Sequence, residues 1–231
     1  MITAHLTVRN LEEAWITVMR EIMHRGREYR KDDSTRAGML RKALDFVSVE
    51  ITHPEDRPLV PLSKPGCVSL CNEEDAERYL LEKLYTDAPP APNEAYTYAQ
   101  WLMPGIRYTT DRYAQGGFYT QKATMAVGNV FDDMWKCAGD QSIPCLRMID
   151  TRIINESGVD RLHYYIVFRC WNWFGAFSLE MSGFQMLKEV HCVLISEAAG
   201  KEVVPGPTVA ISKDVHCNEI EWDAARAWLG E

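Results

Sequence analysis

The sequence predicts an α+β fold, and three observations carry that reading. Residues 11–29 and 179–198 space their apolar side chains as amphipathic helices do. Residues 145–155 (CLRMIDTRIIN) and 162–170 (LHYYIVFRC) alternate large apolar with polar side chains around a short link containing Gly158, the pattern of a β-hairpin. Helical and strand-like segments then follow one another without the regular alternation of a parallel α/β chain.

Taken in order, residues 11–29 carry apolar positions at 11, 15, 16, 18, 19, 22 and 23, which predicts a helix. Residues 44–51 (LDFVSVEI) partly alternate and are β-branched, which predicts a strand. Residues 53–66 hold four prolines and read as a loop. Residues 72–85 begin with Asn72 and a run of acids before an apolar period, the start signal of a helix. The three prolines of residues 87–93 end it. Residues 115–134 read as another helix with a boundary at Gly128, 203–212 as a strand or strand pair, and 219–229 as a closing helix.

Composition bounds the function. The chain of 231 residues is long enough for one well-buried domain spanning 1–231. Apolar residues make up 46% and charged residues 25%, ordinary for a soluble protein. A net charge of −8 argues against nucleic acid or an anionic membrane as partner, so an anionic ligand must be met by a local cluster of Arg and Lys. No apolar run is long enough to span a membrane, and residues 1–10 do not read as a signal peptide. The seven cysteines are odd in number and none forms a C-x-x-C pair, so free thiols, a cytoplasmic setting and no metal are expected.

The chemistry centres on Pro144-Cys145 at the start of the first hairpin strand. The second strand ends at Phe168-Arg169-Cys170, and hairpin pairing brings Arg169 beside Cys145. A guanidinium beside a thiol favours the thiolate, the nucleophilic form. The chain then runs through Asn172, Gly175 and Ala176 into a helix carrying Glu180, and Lys213-Asp214-Val215-His216 follows further on.

This run, strongest over residues 141–222, resembles the thymidylate synthase family. That family has Pro-Cys opening a strand, then Arg-Ser-x-Asp, a Gly-rich turn, an Asn at the position of Glu180, and a later His-x-Tyr. The resemblance implies a thymidylate synthase-like mixed β-sheet flanked by helices, and a homodimer whose sites share residues across the interface. It implies covalent catalysis with 5,10-methylenetetrahydrofolate as co-substrate: the Cys145 thiolate adds to C6 of a pyrimidine nucleotide, and C5 attacks the one-carbon unit. It also implies a catalytic Glu on an early helix, for which Glu77 stands closest with Glu73 and Glu74 as alternatives, and an active-site Tyr, matched by Tyr98. The phosphate falls to Arg169 and Arg36, with Arg41 as an alternative to Arg36. Lys122 is the nearest match to the arginine pair that the family borrows from its partner.

The departures from the family carry the specificity. Glu180 replaces the Asn that reads uracil, and a carboxyl group accepts from the cytosine amino group while one shared proton completes a bidentate pair. The family's dCMP hydroxymethylases also carry an acid there. His216-Cys217-Asn218 replaces the sugar-reading His-x-Tyr and leaves room for a ribose 2′-hydroxyl. Asn172 replaces an Asp that meets the pterin, and Cys170 replaces a Ser beside phosphate or sugar; Ala176 joins the substrate-binding set. Together these resemble the branch that hydroxymethylates CMP in nucleoside-antibiotic pathways. The C-terminal segment that closes over folate is expected to be short, which admits water in place of hydride. A dCMP hydroxymethylase, a C5-methylating synthase and a non-catalytic nucleotide-binding protein remain the alternatives.

Overall fold

The computed structural model describes residues 1–32, 38–92, 94–128 and 143–231. Its described elements run β1 (Thr3–Val8), α1 (Leu11–Arg25), β2 (Arg27–Arg30), β3 (Leu40–Ile51), α2 (Glu73–Tyr79), α3 (Ala99–Gly116), β4 (Thr124–Ala126), β5 (Leu146–Glu156), β6 (Val159–Phe168), β7 (Trp171–Asn172), α4 (Phe177–Ala199), β8 (Val204–Asn218) and α5 (Trp222–Leu229). The strands form one sheet in the order β1-β3-β8-β6-β5-β4, with β2 beside β3 and β7 beside β8. Pairing is parallel for β1/β3, β6/β8 and β7/β8 and antiparallel elsewhere. This is a mixed sheet with helices, as the α+β class requires.

The predicted hairpin forms as β5 and β6. Ser157 and Gly158 link the two strands, both at positive φ (53° and 90°), the geometry that a two-residue turn needs to match strand twist. One face of the sheet is buried under helices. Tyr164 on β6 donates or accepts at His191 of α4, Tyr113 of α3 meets Thr151 of β5, and Lys188 of α4 reaches Thr208 of β8. The opposite face, with Phe46, Met148, Tyr165, Val167, Val209 and Ile211, stays partly exposed.

α1 starts where the Asn10 side chain accepts from Glu13 N at 3.0 Å, and it buries Trp15, Val18, Met19 and Ile22. Trp15 and Trp173 clasp one another: each indole N–H donates to the other's backbone carbonyl, at 3.2 and 3.1 Å. Trp173 also stacks on Phe177 at 3.9 Å, so the segment entering α4 is fixed to α1. Truncating Trp15 to Ala would cost about 3–5 kcal/mol, because the surrounding core cannot fill so large a gap.

Four elements differ from the sequence reading. The helix expected over 11–29 ends at Arg25, because residues 27–30 find a strand partner in β3 and sheet pairing overrides the helical period. The helix expected over 115–134 is absent as far as Gly128: the helix lies earlier, over Ala99–Gly116, and Thr124–Ala126 is a strand paired to β5. Residues 129–134 lie outside the described residues. The helix expected over 72–85 begins with the Asn72–Asp75 capping box but widens into a π-helical turn at Leu80–Leu84. The strand expected over 203–212 continues as one strand to Asn218. No helix among the described residues is long and apolar enough to cross a membrane.

Candidate active site

The site forms where β8 changes partners. Phe168, the last residue of β6, pairs with Ser212, and Trp171 of β7 pairs with Val215. Between these contacts Asp214 takes positive φ (51°), and Arg169 and Cys170 leave the ladder. The hairpin register brings Arg169 N to Cys145 O at 2.8 Å, as the sequence anticipates. The Arg169 guanidinium is held by Ile143 O at 2.7 Å and Pro144 O at 3.3 Å, and its remaining terminal nitrogen lies 3.4 Å from Cys170 Sγ.

The two sulfurs of Cys145 and Cys170 stand 3.6 Å apart, both partly buried. One thiol of such a pair donates to the other, and a single negative charge is shared. The hydrogen bond from Cys145 pulls the Cys170 thiol down, to about 6, against the opposing effect of burial, with Arg169 and His216 adding to the pull. The same hydrogen bond, then burial, pushes Cys145 up, while Arg169 alone favours its thiolate. The charge of the pair therefore rests mainly on Cys170.

Glu180 sits in the first turn of α4, four residues past Ala176, whose carbonyl accepts Glu180 N at 2.9 Å. Residues four apart share a helix face, so the Ala176 methyl lies one turn below the carboxyl group. Glu180 is densely surrounded by protein without being sealed from solvent. Burial pushes its acid up to about 8, against a hydrogen bond from Trp171 Nε1 to Oε2 at 2.6 Å that favours the carboxylate. Burial thus favours the protonated form, a carboxylic acid able both to donate and to accept.

Two tyrosines close the cluster. Tyr98 is buried, and its hydroxyl accepts from Leu146 N, next to Cys145, at 3.4 Å. Burial raises its acid strongly, and the charges of Glu180 and Cys145 add to the rise. Tyr79 behaves the same way, raised first by burial and then by Glu180. Both phenols lie within electrostatic reach of Glu180 and Cys145, which puts these four side chains in one place. Tyr79 gets there because Gly183 of α4 has no side chain: a Cβ would meet the Tyr79 ring at 2.7 Å. Glu77, two residues earlier on α2, is exposed and is not brought to the cluster; a shift of two residues turns a helical side chain about 200° away. Tyr79 is the residue that the sequence reading missed.

A second layer lies behind Cys170. His216 Nδ1 lies 3.0 Å from the Asp214 backbone carbonyl and 3.4 Å from its carboxylate. Asp214 also accepts from the Tyr29 hydroxyl at 2.5 Å, and Arg41 stands 3.9 Å away. Burial alone would raise the Asp214 acid, but the hydrogen bonds from His216 and Tyr29 and the charge of Arg41 outweigh it and hold it low. Arg41 Nε donates to Asn218 Oδ1 at 3.0 Å. Glu221, also unanticipated, binds the remaining amides: Oε1 accepts from Asn172 Nδ2 at 2.9 Å, and Oε2 accepts from Asn218 N at 2.8 Å and Nδ2 at 2.9 Å. Asn218 is fully buried at 0% exposure, so it acts on any ligand through the residues it holds, Arg41 and Glu221, rather than by direct contact. Asn172 is partly exposed, with its Oδ1 accepting from Gly175 N at 3.1 Å.

Of the other expected residues, Arg36 lies outside the described residues, and Arg41 is the cation found behind the site. Lys122 is exposed on the approach to β4, with no side-chain partner among the described residues. A shallow depression lined by Val193, Glu197, Lys201 and Val203 sits at the far end of α4 and holds none of these residues. No protein-family model matches the chain, and no curated protein matches it.

Proposed function

We propose that the chain is a folate-dependent C5-transferase of the thymidylate synthase type, acting on a cytidine nucleotide as a CMP 5-hydroxymethylase. The observation that carries this reading is the convergence of a strand-opening Cys145, the Arg169 cation and Glu180, whose burial favours the protonated acid, in one cluster. In this reading Cys145 Sγ bonds to C6 and the C5–C6 electron pair makes C5 nucleophilic. C5 takes the one-carbon unit of 5,10-methylenetetrahydrofolate, tetrahydrofolate leaves, and water adds to the resulting exocyclic methylene. The balance is CMP plus methylenetetrahydrofolate plus water giving 5-hydroxymethyl-CMP plus tetrahydrofolate. No redox change occurs in the folate.

The Glu180 carboxylic acid would donate to cytosine N3 and accept from the N4 amino group. Arg169 would meet the phosphate, and His216 the sugar, with Arg41 held behind it. Asn172, its amide oriented by Glu221, would face the pterin. Tyr98 would hold the backbone of the nucleophile in place. The partly exposed sheet face around Val167 and Ile211 supports a symmetric homodimer; light scattering that finds only monomer would remove that part of the reading.

The neutral Glu180 favours a second reading as well. A carboxylic acid also presents a donor for O4 and an acceptor for the N3–H of uracil, so a uridine nucleotide is the competing substrate. Mass analysis of products from CMP, dCMP, UMP and dUMP with methylenetetrahydrofolate decides between them. The expected result is a CH2O increment on CMP, abolished in Cys145→Ser. A variant Cys145→Ser with full activity, or wild type inert on all four, overturns the enzyme reading.

A further inference from the structure

We infer that Cys145 and Cys170 form an oxidative modification site: hydrogen peroxide joins their sulfurs, 3.6 Å apart as thiols, in a reversible disulfide that takes Cys145 out of action. The effect on activity rests on Cys145 being the nucleophile; the bond itself does not depend on the substrate. In the first step the Cys170 thiolate attacks the peroxide, the O–O bond breaks, and Cys170 becomes a sulfenic acid. The hydroxide released takes up the proton that Cys170 had lost and leaves as water. In the second step the Cys145 sulfur attacks the Cys170 sulfur, and the Cys145 proton leaves with the displaced hydroxyl group as a second water. Two thiols and one peroxide give one disulfide and two waters; the sulfurs are oxidised and the peroxide is reduced.

The backbone holds the two sulfurs together. Cys145 directly precedes β5, and its carbonyl accepts from Arg169 N at 2.8 Å. The Arg169 guanidinium ties down the chain ahead of Cys145, through Ile143 O at 2.7 Å and Pro144 O at 3.3 Å. Cys170 lies off the ladder, between Phe168 at the end of β6 and Trp171 of β7, so no strand pairing fixes its backbone. A disulfide needs its sulfurs about 2.0 Å apart, a closure of about 1.5 Å that rotation of the two side chains can supply. The terminal nitrogen of Arg169 lies 3.4 Å from Cys170 Sγ, and a cation there favours the thiolate that meets the peroxide first. The Cys170 acid is lowered by the hydrogen bond from Cys145, with Arg169 adding to it, in agreement with that order. Both cysteines are partly exposed, within reach of a molecule as small as peroxide, whereas Cys192 and Cys217 are buried. Among the described residues no other pair of thiols makes a sulfur–sulfur hydrogen bond. A sulfenic acid formed beside a waiting thiol is captured as a disulfide before further peroxide takes it to the irreversible sulfinic acid. The pair therefore stops Cys145 and shields it in one step.

The test is peptide mapping by mass, without reductant, of the fully reduced chain after treatment with hydrogen peroxide, in wild type, Cys170→Ser and Cys170→Ala. The expected result in wild type is a peptide joining residues 145 and 170, two hydrogens lighter than the two thiol peptides together. Activity on CMP should fall in step with that peptide, and dithiothreitol should restore both. In the two variants Cys145 should instead accumulate as sulfinic and sulfonic acid. The share of each variant's own starting activity that dithiothreitol recovers should then be about tenfold below the wild-type share. Wild-type Cys145 found overoxidised with no link to residue 170, or linked mainly to another cysteine, overturns the inference. So does full activity in a chain whose pair is fully linked. The mapping of wild type needs neither nucleotide nor variant, so a linked pair in a chain inert on all four nucleotides supports the modification site and removes only the enzyme reading.

Discussion

The indole N–H of Trp171 ends 2.6 Å from Oε2 of Glu180, and among the described residues no hydrogen bond engages Oε1. A donor on Oε2 favours the carbonyl form of that oxygen, so the acidic proton belongs on Oε1. Trp171 also counters burial by favouring the carboxylate. Trp171→Phe keeps an aromatic ring against Phe168, on which Trp171 stacks at 4.0 Å, but removes the donor. The Glu180 acid should then rise above about 8. Nucleotide binding measured by calorimetry across pH should hold to higher pH in this variant than in wild type. An alkaline limb at the wild-type position would show that Trp171 does not tune Glu180.

Glu180 itself gives a sharper test. Its acid is raised from 4.5 to about 8, so the folded chain keeps a proton that the unfolded chain releases. The protonated group contributes stability that is complete below about 4.5 and is lost as pH rises through about 8. Glu180→Gln presents a donor and an acceptor at every pH. Its melting temperature relative to wild type should therefore climb between pH 5 and pH 9, and its nucleotide affinity should lose the alkaline limb. Glu180→Ala should lose about 100-fold in kcat/KM, the scale of two unmade hydrogen bonds in a buried site. A wild-type affinity that is flat across this range would remove the carboxylic acid from base recognition.

Lys188 makes the opposite prediction away from the site. Its ammonium is fully buried, donating to Gly206 O at 2.7 Å and Thr208 Oγ1 at 2.6 Å. Burial pulls its acid down from 10.5 to about 7. Between those values the unfolded chain binds more protons than the folded one, so stability rises with pH across the window and the burden is greatest below 7. Lys188→Met removes the charge and keeps the bulk. The loss of its two hydrogen bonds does not depend on pH, so the melting temperature of the variant relative to wild type should be higher at pH 6 than at pH 10. A difference that does not vary with pH would mean the amine is not strained by burial.

The parts of the fold that were legible in the sequence share one property: their signal is local and periodic. The hairpin of β5 and β6 alternates along most of its length, with one irregularity between Leu146 and Met148, and its pairing brings Arg169 to Cys145. Glu180 was legible because it lies a fixed number of residues beyond Arg169 on a helix entered by a tight turn. What was not legible depends on distant partners. α3 carries Pro104 in its interior, which breaks the helical signal, and distant partners hold it, Thr151 at Tyr113 and His191 at Thr109. Tyr79 and Glu77 are equivalent on sequence; the missing side chain at Gly183, on another helix, decides which one turns inward. β8 reads as ending at Ser212 because Lys213 and Asp214 interrupt its alternation, and the positive φ of Asp214 lets the strand continue past them. Glu221 did leave a local signal, since Asn218 and Glu221 have capping-box spacing, but nothing local shows that its other oxygen holds Asn172.

Tyr29 tests whether the layer behind Cys170 matters to the chemistry. Its hydroxyl donates to Asp214, and burial followed by that hydrogen bond pushes the phenol up to about 12. Tyr29→Phe leaves Asp214 with one donor fewer while His216 and Arg41 stay beside it. An unmet acceptor in a partly buried place costs about 1–3 kcal/mol, so the melting temperature should fall. The Asp214 acid should rise, and at low pH the group should protonate sooner. His216 would then lose part of the charge that orients it, and KM for the nucleotide should increase with kcat less affected. The decisive comparison is Asp214→Asn, which keeps an acceptor for Tyr29 and removes the charge. If both variants lose stability but bind nucleotide as wild type does, the network of Tyr29, Asp214 and His216 supports the fold of β8 alone, and His216 does not read the sugar.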